Sequence, residues 1–249
     1  AERWLEEDVV VKKGGAKLRH ATVQGYMKHA ENLLPVIDRL LKKERLKIGD
    51  IDAFLISRGP GSFTGLRIGF ATLKGFLAIR PKPCFGASSL DVIAAGIKGS
   101  GTFSSKRKRC LTPSNLTLKD YKNLAVCLDA RRGKLYVRSY RYHEKRWHSK
   151  GSACVVSIEE MNSALSEGSY VAGDGIKKLN VEGLAIAPEK SWIPRAATLI
   201  KLFETKDPLL KKLRLPKEFL PVYLRLSEPE EKLKGDRHSL LACPLSKKQ

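Results

Sequence analysis

Apolar residues recur along the first half of the chain with two different periods. At Ala30, Leu33, Leu34, Ile37, Leu40 and Leu41 the steps are of three and four, which predicts an amphipathic helix over residues 32–44 with Asp38, Arg39, Lys42 and Lys43 on its polar side. Pro35 fits if it lies in the first turn, where its missing N–H costs little. The continuous run "DIDAFLIS" (residues 50–57) predicts a buried strand, and "DVVVKK" (residues 8–13) an earlier short one. A glycine-rich turn, "RGPGSFTG", then opens into a second helix over residues 64–79. Leu66, Phe70, Leu73 and Leu77 line one side of it; Ile68, Thr72, Gly75 and Ile79 line another; only Arg67 and Lys74 carry charge. A helix apolar almost all round must be covered on both sides. "KPCFGASSLDVIAAG" predicts a short strand, a serine cap at Ser88 or Ser89 and a third helix. Strand, helix, strand, helix in that order indicates an α/β domain with parallel pairing.

The pattern changes past the third helix. Residues 99–123 are dominated by Gly, Ser, Thr, Lys and Arg, a stretch too long for an ordinary connection and read as a basic linker or mobile insertion. "NLAVCLDARRGKLYVRSYRYH" predicts a β-hairpin, with one strand ending at Leu128, a turn over residues 129–133 and a second strand from Lys134. "SYVAGDGIKKL" predicts a strand closed by a Gly-Asp-Gly turn, and "PRAATLIKLFE" a last amphipathic helix with Pro194 at its first position. Residues 226–249 form a polar tail.

Composition narrows the function classes. The 249 residues suffice for one large or two small domains, and no run approaches the length of a membrane span. The acidic start, "AERWLEEDVV", lacks the apolar core of a secretory signal. Cys84, Cys110, Cys127, Cys154 and Cys243 are scattered without a C-x-x-C pair, which predicts reduced thiols in a cytoplasmic setting. His143 and His148 are expected to point different ways, so no metal site is expected. The net charge of +21 favours a polyanionic partner or a uniformly basic surface. Its local peaks are Lys106, Arg107, Lys108 and Arg109, and the stretch "RSYRYHEKRWHSK". In the second, Tyr140, Tyr142 and Trp147 interleave with cations, either to stack bases or as one face of a strand.

Gly59, Gly61, Ser62, Thr64 and Gly65 bring backbone N–H groups to a helix start, a general recipe for phosphate contact. The pattern is not a P-loop, because Leu66 and Arg67 follow Gly65 where Lys and Ser/Thr are needed; nor is it G-x-G-x-x-G. Gly65, Gly69 and Gly75 each cost the helix about 0.8–1 kcal/mol relative to alanine. Close backbone approach by a neighbour is the expected return.

"RGPGSFTGLRIGFATLKG" resembles the signature of the TsaB (YeaZ-like) family, and five further motifs follow the family order: "HAENLLPVID", "GASSLDVIA", "LDARRGKLYV", "GDG" and "PVYLR". Members are subunits of the bacterial machinery that makes N6-threonylcarbamoyladenosine (t6A37) on tRNA. The resemblance implies a degenerate two-lobed fold of the actin-like, Hsp70-like ATPase (ribonuclease H-like) type. The first lobe would take residues 1–98 completed by 193–225, and the second residues 124–192. The family opens with a strand ending in Asp-Thr-Ser; nothing of that kind precedes "EDVVVKK", so that strand is expected to be missing or the chain to be a fragment. The resemblance further implies a non-catalytic subunit that pairs with a TsaD-type transferase, or with itself when alone, through its two N-terminal helices. A TsaE-type ATPase and tRNA would join at the level of the complex, as would ATP and magnesium; no cofactor is expected on this chain itself. Leu33, Ile37, Leu41, Arg67, Phe70, Leu73, Lys74 and Leu77 are the expected partner contacts.

Two other readings stand beside this one. An ATPase or carbamoyl-transferring enzyme in its own right would need Asp129 and Asp174 as magnesium carboxylates, although aspartates at such turns are commonplace. A basic tRNA-binding module would use Lys106, Arg107, Lys108, Arg109, Arg131 and Arg132, with the stretch to Lys150, against phosphates.

Overall fold

Among the described residues, backbone hydrogen bonding sorts the strands into three sheets of two, three and five members. The computed structural model describes residues 6–11, 19–24, 29–97, 123–166, 168–214 and 219–224. The expected insertion, its Lys106–Arg109 cluster and the polar tail lie outside the described residues, apart from Asn123. The described residues divide into two units: one holds those up to Ser89 together with those of Arg195–Val222, the other those of Leu90–Pro194 with Tyr223 and Leu224. Among the described residues, no helix is long and apolar enough to cross a membrane.

In the first unit, β1 (Glu6–Val11) pairs antiparallel with β2 (Arg19–Gln24), Glu6 opposite Gln24. β2 escapes a sequence reading because only Ala21 and Val23 break its polar run. Helix α1 (His29–Lys43) starts three residues before expectation, so Pro35 falls in the second turn rather than the first, on the exposed side. Its buried stripe is Leu33, Val36, Leu40 and Leu41; Leu34, expected inside, is half exposed. Asp50 turns back to accept the Lys47 N–H at 2.8 Å, closing a 3-10 turn over Ile48–Asp50. Strand β3 (Phe54–Ser57) therefore begins later than expected, and its four residues are only partly buried. Helix α2 (Phe63–Ile79) leads to β4 (Cys84–Ala87), which runs parallel to β3. From the far end of the chain come α5 (Ala196–Glu204) and β10 (Lys211–Lys212), the latter antiparallel to β4. Arg195 is the N-cap of α5, so Pro194 stands just outside the helix instead of at its first position.

The second unit takes α3 (Ser89–Gly96), β5 (Asn123–Arg131), β6 (Lys134–His143), β7 (Arg146–Ser157), α4 (Ile158–Ala164), β8 (Tyr170–Ala172) and β9 (Ala185–Ile186), with sheet order β7-β6-β5-β8-β9. β5 continues past Leu128 to Arg131 through a bulge, and Arg132 and Gly133 alone make the turn. Both have positive φ, as a two-residue hairpin turn of type I′ requires. Helix α4 is absent from the sequence reading, although "SIEE" carries its signal: the Glu160 N–H donates to Ser157 Oγ (3.0 Å) and the Ser157 N–H to Glu160 Oε2 (2.7 Å), a reciprocal cap. After β8 the chain can turn only through glycine: Gly173 has φ +103, and a Cβ there would overlap the Cys127 carbonyl oxygen.

Alternation along β5 and β6 feeds two cores. Leu124, Val126, Tyr140 and Trp147 pack with Leu90 and Ile93 of α3; Cys127, Leu135, Val137 and Val156 pack with Met161 of α4. Asp91 brings one charge into the α3 side at 5% exposure. Arg138 Nη1 donates to both of its oxygens (2.9 and 3.0 Å) and the Tyr140 hydroxyl to one (2.7 Å), so the buried carboxylate is paired and hydrogen-bonded. Trp147 Nε1 donates to the Ile97 carbonyl at the other end of the helix (3.1 Å).

The thiol expectation holds in part. Cys84 and Cys127 are free and buried, and burial pushes their thiols up to about 11 and about 12. Cys154 corrects it: its sulfur is in a disulfide whose other half lies outside the described residues.

Candidate functional site

The glycine turn is built into the sheet of its own unit. The Arg58 N–H donates to the Ala87 carbonyl (2.8 Å), the Ser89 N–H to the Gly59 carbonyl (2.8 Å), and the Val222 N–H to the Arg58 carbonyl (2.7 Å). Ser57 and Ser89 share a hydroxyl–hydroxyl bond of 2.8 Å. Gly59 has φ +93, and a Cβ there would press on Leu66 Cδ1 and the Val222 carbonyl, so only glycine fits. Ser62 caps α2, its Oγ accepting the Gly65 N–H at 3.3 Å. Gly61 and Thr64 are exposed, and Arg67 lays its guanidinium 3.8 Å over the Phe63 ring. In this geometry the turn works as a packing device that fixes how α2 leaves the sheet.

The two sides of α2 differ sharply. Phe70, Leu73 and Leu77, at 3–6% exposure, form a core with Cys84, Leu213 and Phe219, and Phe70 meets Phe219 edge-on at 5.2 Å. These three expected partner contacts are therefore the inner face of the helix, already covered by the chain's own C-terminal segment. The outer face presents Thr64, Arg67, Ala71, Lys74, Gly75 and Ala78. Of the expected contacts only Arg67 and Lys74 lie on it. A Cβ added at Gly75 would meet nothing within 4 Å, so this stretch of the face is open as well as flat. On α1, which packs beside α2, Leu33 and Leu41 are buried and Ile37 is half-buried.

The basic segments separate into two places. Arg131 and Arg132 sit exposed at the β5–β6 turn. The stretch from Arg138 to Lys150 runs from the middle of β6 to its opposite end and back along the first part of β7. There, Tyr140 and Trp147 are buried and Tyr142 packs on their core, which removes the base-stacking reading. Arg141 faces His148, and His143 faces Arg146, on the other side of the ribbon. The expectation that His143 and His148 point different ways is also corrected, because a two-residue turn folds β7 back on β6 and brings their rings to 5.9 Å. With Glu144 they place three donor atoms within 4.8 Å of one another. Arg146 Nε donates to His148 Nε2 at 3.2 Å, occupying one imidazole lone pair a metal would need.

Asp129 and Asp174 come together, but as turn-formers. Asp174 Oδ1 accepts the Asp129 N–H (3.0 Å), and Asp129 Oδ1 accepts the Arg131 N–H (2.8 Å) and Lys178 Nζ (2.9 Å). Lys178 neutralises the carboxylate that magnesium chemistry would require to be open.

Comparison with known proteins agrees with this architecture. A family model described as TsaD, tRNA N6-adenosine threonylcarbamoyltransferase, matches residues 24–107. The tRNA threonylcarbamoyladenosine biosynthesis protein TsaB of Haemophilus influenzae is 26% identical over 222 residues, covering 83% of this chain and 84% of that protein. Its counterpart in Escherichia coli is 28% identical over 140 residues, covering 56% of this chain and 53% of that protein, so here the chain spans about half of the relative's length. YeaZ from Pseudomonas aeruginosa shares the fold, with a TM-score of 0.64 at 22% identity over 88% of this chain and 94% of that one. In motif order, in its matched relatives and in its α/β fold, this chain is similar to TsaB/YeaZ-like proteins.

Proposed function

We propose that the chain is a subunit of the machinery that forms threonylcarbamoyladenosine on tRNA, and that it supports a TsaD-type transferase instead of carrying the transfer itself. The names of the matched relatives support the pathway. One observation carries the supporting role: α2 is filled on its inner side by Phe219 and Leu213, while its outer side, composed largely of small residues, is left uncovered. A partner helix could approach closely over Ala71, Gly75 and Ala78, with Arg67 and Lys74 free to meet carboxylates at its edge.

On this reading the two units are the lobes of a degenerate actin-like, ribonuclease H-like fold, and the work is done in the cytoplasm. A TsaE-type ATPase and tRNA join the complex without a nucleotide site on this chain. The test is size-exclusion chromatography with light scattering on the chain, its cognate TsaD-type subunit and their mixture. A mixed complex that forms with the wild type and is lost with Ala71→Glu/Ala78→Glu is the expected result. A wild type that ignores its cognate subunit at micromolar concentration overturns the proposal.

A further inference from the structure

The outer end of the β6–β7 ribbon separates its side chains by chemistry. Register pairs Ser139 with Lys150, Arg141 with His148 and His143 with Arg146, so all six share one face. Tyr140, Tyr142 and Trp147 take the opposite face and belong to the α3 core. Arg141, His143 and Lys150 are exposed, and Arg146 and His148 half-buried. In the whole ribbon, residues 134–157, Glu144 is the sole carboxylate, and Arg146 already lies 3.7 Å from it.

Same-face residues along a strand repeat about every 6.6–6.8 Å, and neighbouring strands lie about 4.8 Å apart. The cations thus form a flat two-row grid rather than a pocket, which suits an extended chain of negative charges better than one small anion. A divalent cation is the poorer occupant, since Arg146 holds the His148 lone pair and Arg141 and Lys150 add like charge. With Tyr140, Tyr142 and Trp147 turned inward, the rings left on this face are the imidazoles of His143 and His148, set among the cations.

We propose that this face of the β6–β7 ribbon docks the sugar-phosphate backbone of RNA, by charge and without reading bases. That the RNA is tRNA rests on the function proposed above; the site itself is distinct from the Arg131–Arg132 turn at the other end of β6. The test is fluorescence anisotropy of a labelled, unmodified tRNA transcript with the full chain, alone and with its TsaD-type subunit, between about 50 and 200 mM salt. Arg141→Glu/Arg146→Glu/Lys150→Glu is expected to weaken binding at least tenfold. It should also flatten the slope of log K against log salt by about 2–3, near 0.9 for each phosphate left without its cation. Lys190→Glu/Lys201→Glu/Lys206→Glu, which changes net charge equally at exposed positions elsewhere, should stay within about twofold. Arg141→Lys/Arg146→Lys should keep the affinity. A glutamine triple at the same three positions should rank with the glutamate triple, and it decides the matter if charge reversal unfolds the ribbon.

Equal losses from both glutamate triples would reduce the effect to overall charge and overturn the proposal, as would binding unchanged by the ribbon triple. A ribbon triple that binds tRNA normally but drops the TsaD-type subunit would assign the face to an acidic protein instead, and so overturn it too. If the wild type forms the protein complex but never binds tRNA, the proposal falls and the supporting role stands. If it binds tRNA through the ribbon but ignores its cognate subunit, the supporting role falls and the docking face stands.

Discussion

Helices α2 and α3 are nearly alike in apolar character and end in opposite situations. In α3, Leu90, Val92, Ile93 and Ala94 are all at or below 1% exposure, and its one charge, Asp91, is inside with its own partners. In α2 only Phe70, Leu73 and Leu77 are buried, and its two charges stay on the open side. The difference lies in how charge is handled. α3 is finished within the chain, so its buried carboxylate is met by Arg138 and Tyr140. α2 keeps Arg67 and Lys74 in water beside small residues, as a surface held ready for another molecule would.

The comparison can be broken most forcefully at Asp91. Asp91→Ala leaves Arg138 and the Tyr140 hydroxyl facing a vacated site and is expected to cost about 3–5 kcal/mol, read by urea unfolding. A loss under about 1 kcal/mol would mean the pairing does not secure α3. Next, Leu73→Ala should cost about 2–5 kcal/mol, whereas Ala71→Glu two residues earlier should stay within about 0.5 kcal/mol in the free chain. Equal destabilisation by the two would show the outer side to be covered internally.

Tyr140→Phe is expected to cost about 1.5–3 kcal/mol, as for a hydrogen bond to a charged group, and to change the alkaline limb. Burial, and then the Asp91 charge, hold the Tyr140 hydroxyl well above its ordinary value of 10.0. The folded chain therefore keeps that proton to higher pH than the unfolded chain. Its contribution is whole below about pH 10 and is lost as pH rises further, so the variant should show a shallower fall in stability there. Smallest is Gly75→Ala, expected to raise the free chain's stability by about 0.8–1 kcal/mol because the new methyl meets nothing. The same substitution should weaken the complex if a partner backbone approaches closely, which chromatography of the mixture would read.

Much of this organisation was legible beforehand. The glycine turn, the extent of α2, the parallel β3–β4 pair and the β5–β6 hairpin follow from local pattern. Which side of α2 faces inward does not, because the deciding residues, Leu213 and Phe219, arrive more than a hundred positions later. Spacing groups Phe70, Leu73 and Leu77 on one face without saying whether chain or partner covers it. The Arg138–Lys150 stretch was ambiguous for a related reason. Alternation could be read as mixed cations and rings until register put the rings inside with Arg138 and the remaining strand cations out. Pro35 shows the limit of local rules, since a proline in the second turn is tolerated on an exposed helix side.

Among the described residues, strand β7 is also the long rim of its sheet, twelve residues against two in β9 at the other rim. An unbroken rim of that length would offer its backbone as a template for a second chain, the first step toward fibrillar aggregates. Here the template is spoiled midway. The register with β6 shifts between Val137 and Ser139, Gly151 kinks the strand at φ +71, and the Gly151 carbonyl is taken by Arg138 Nε at 3.1 Å. With Lys150 beside the kink, stacking copies edge to edge would bring like charges together where the ladder is already interrupted. The bulge therefore gives the protein a built-in resistance to sheet-to-sheet growth at high concentration.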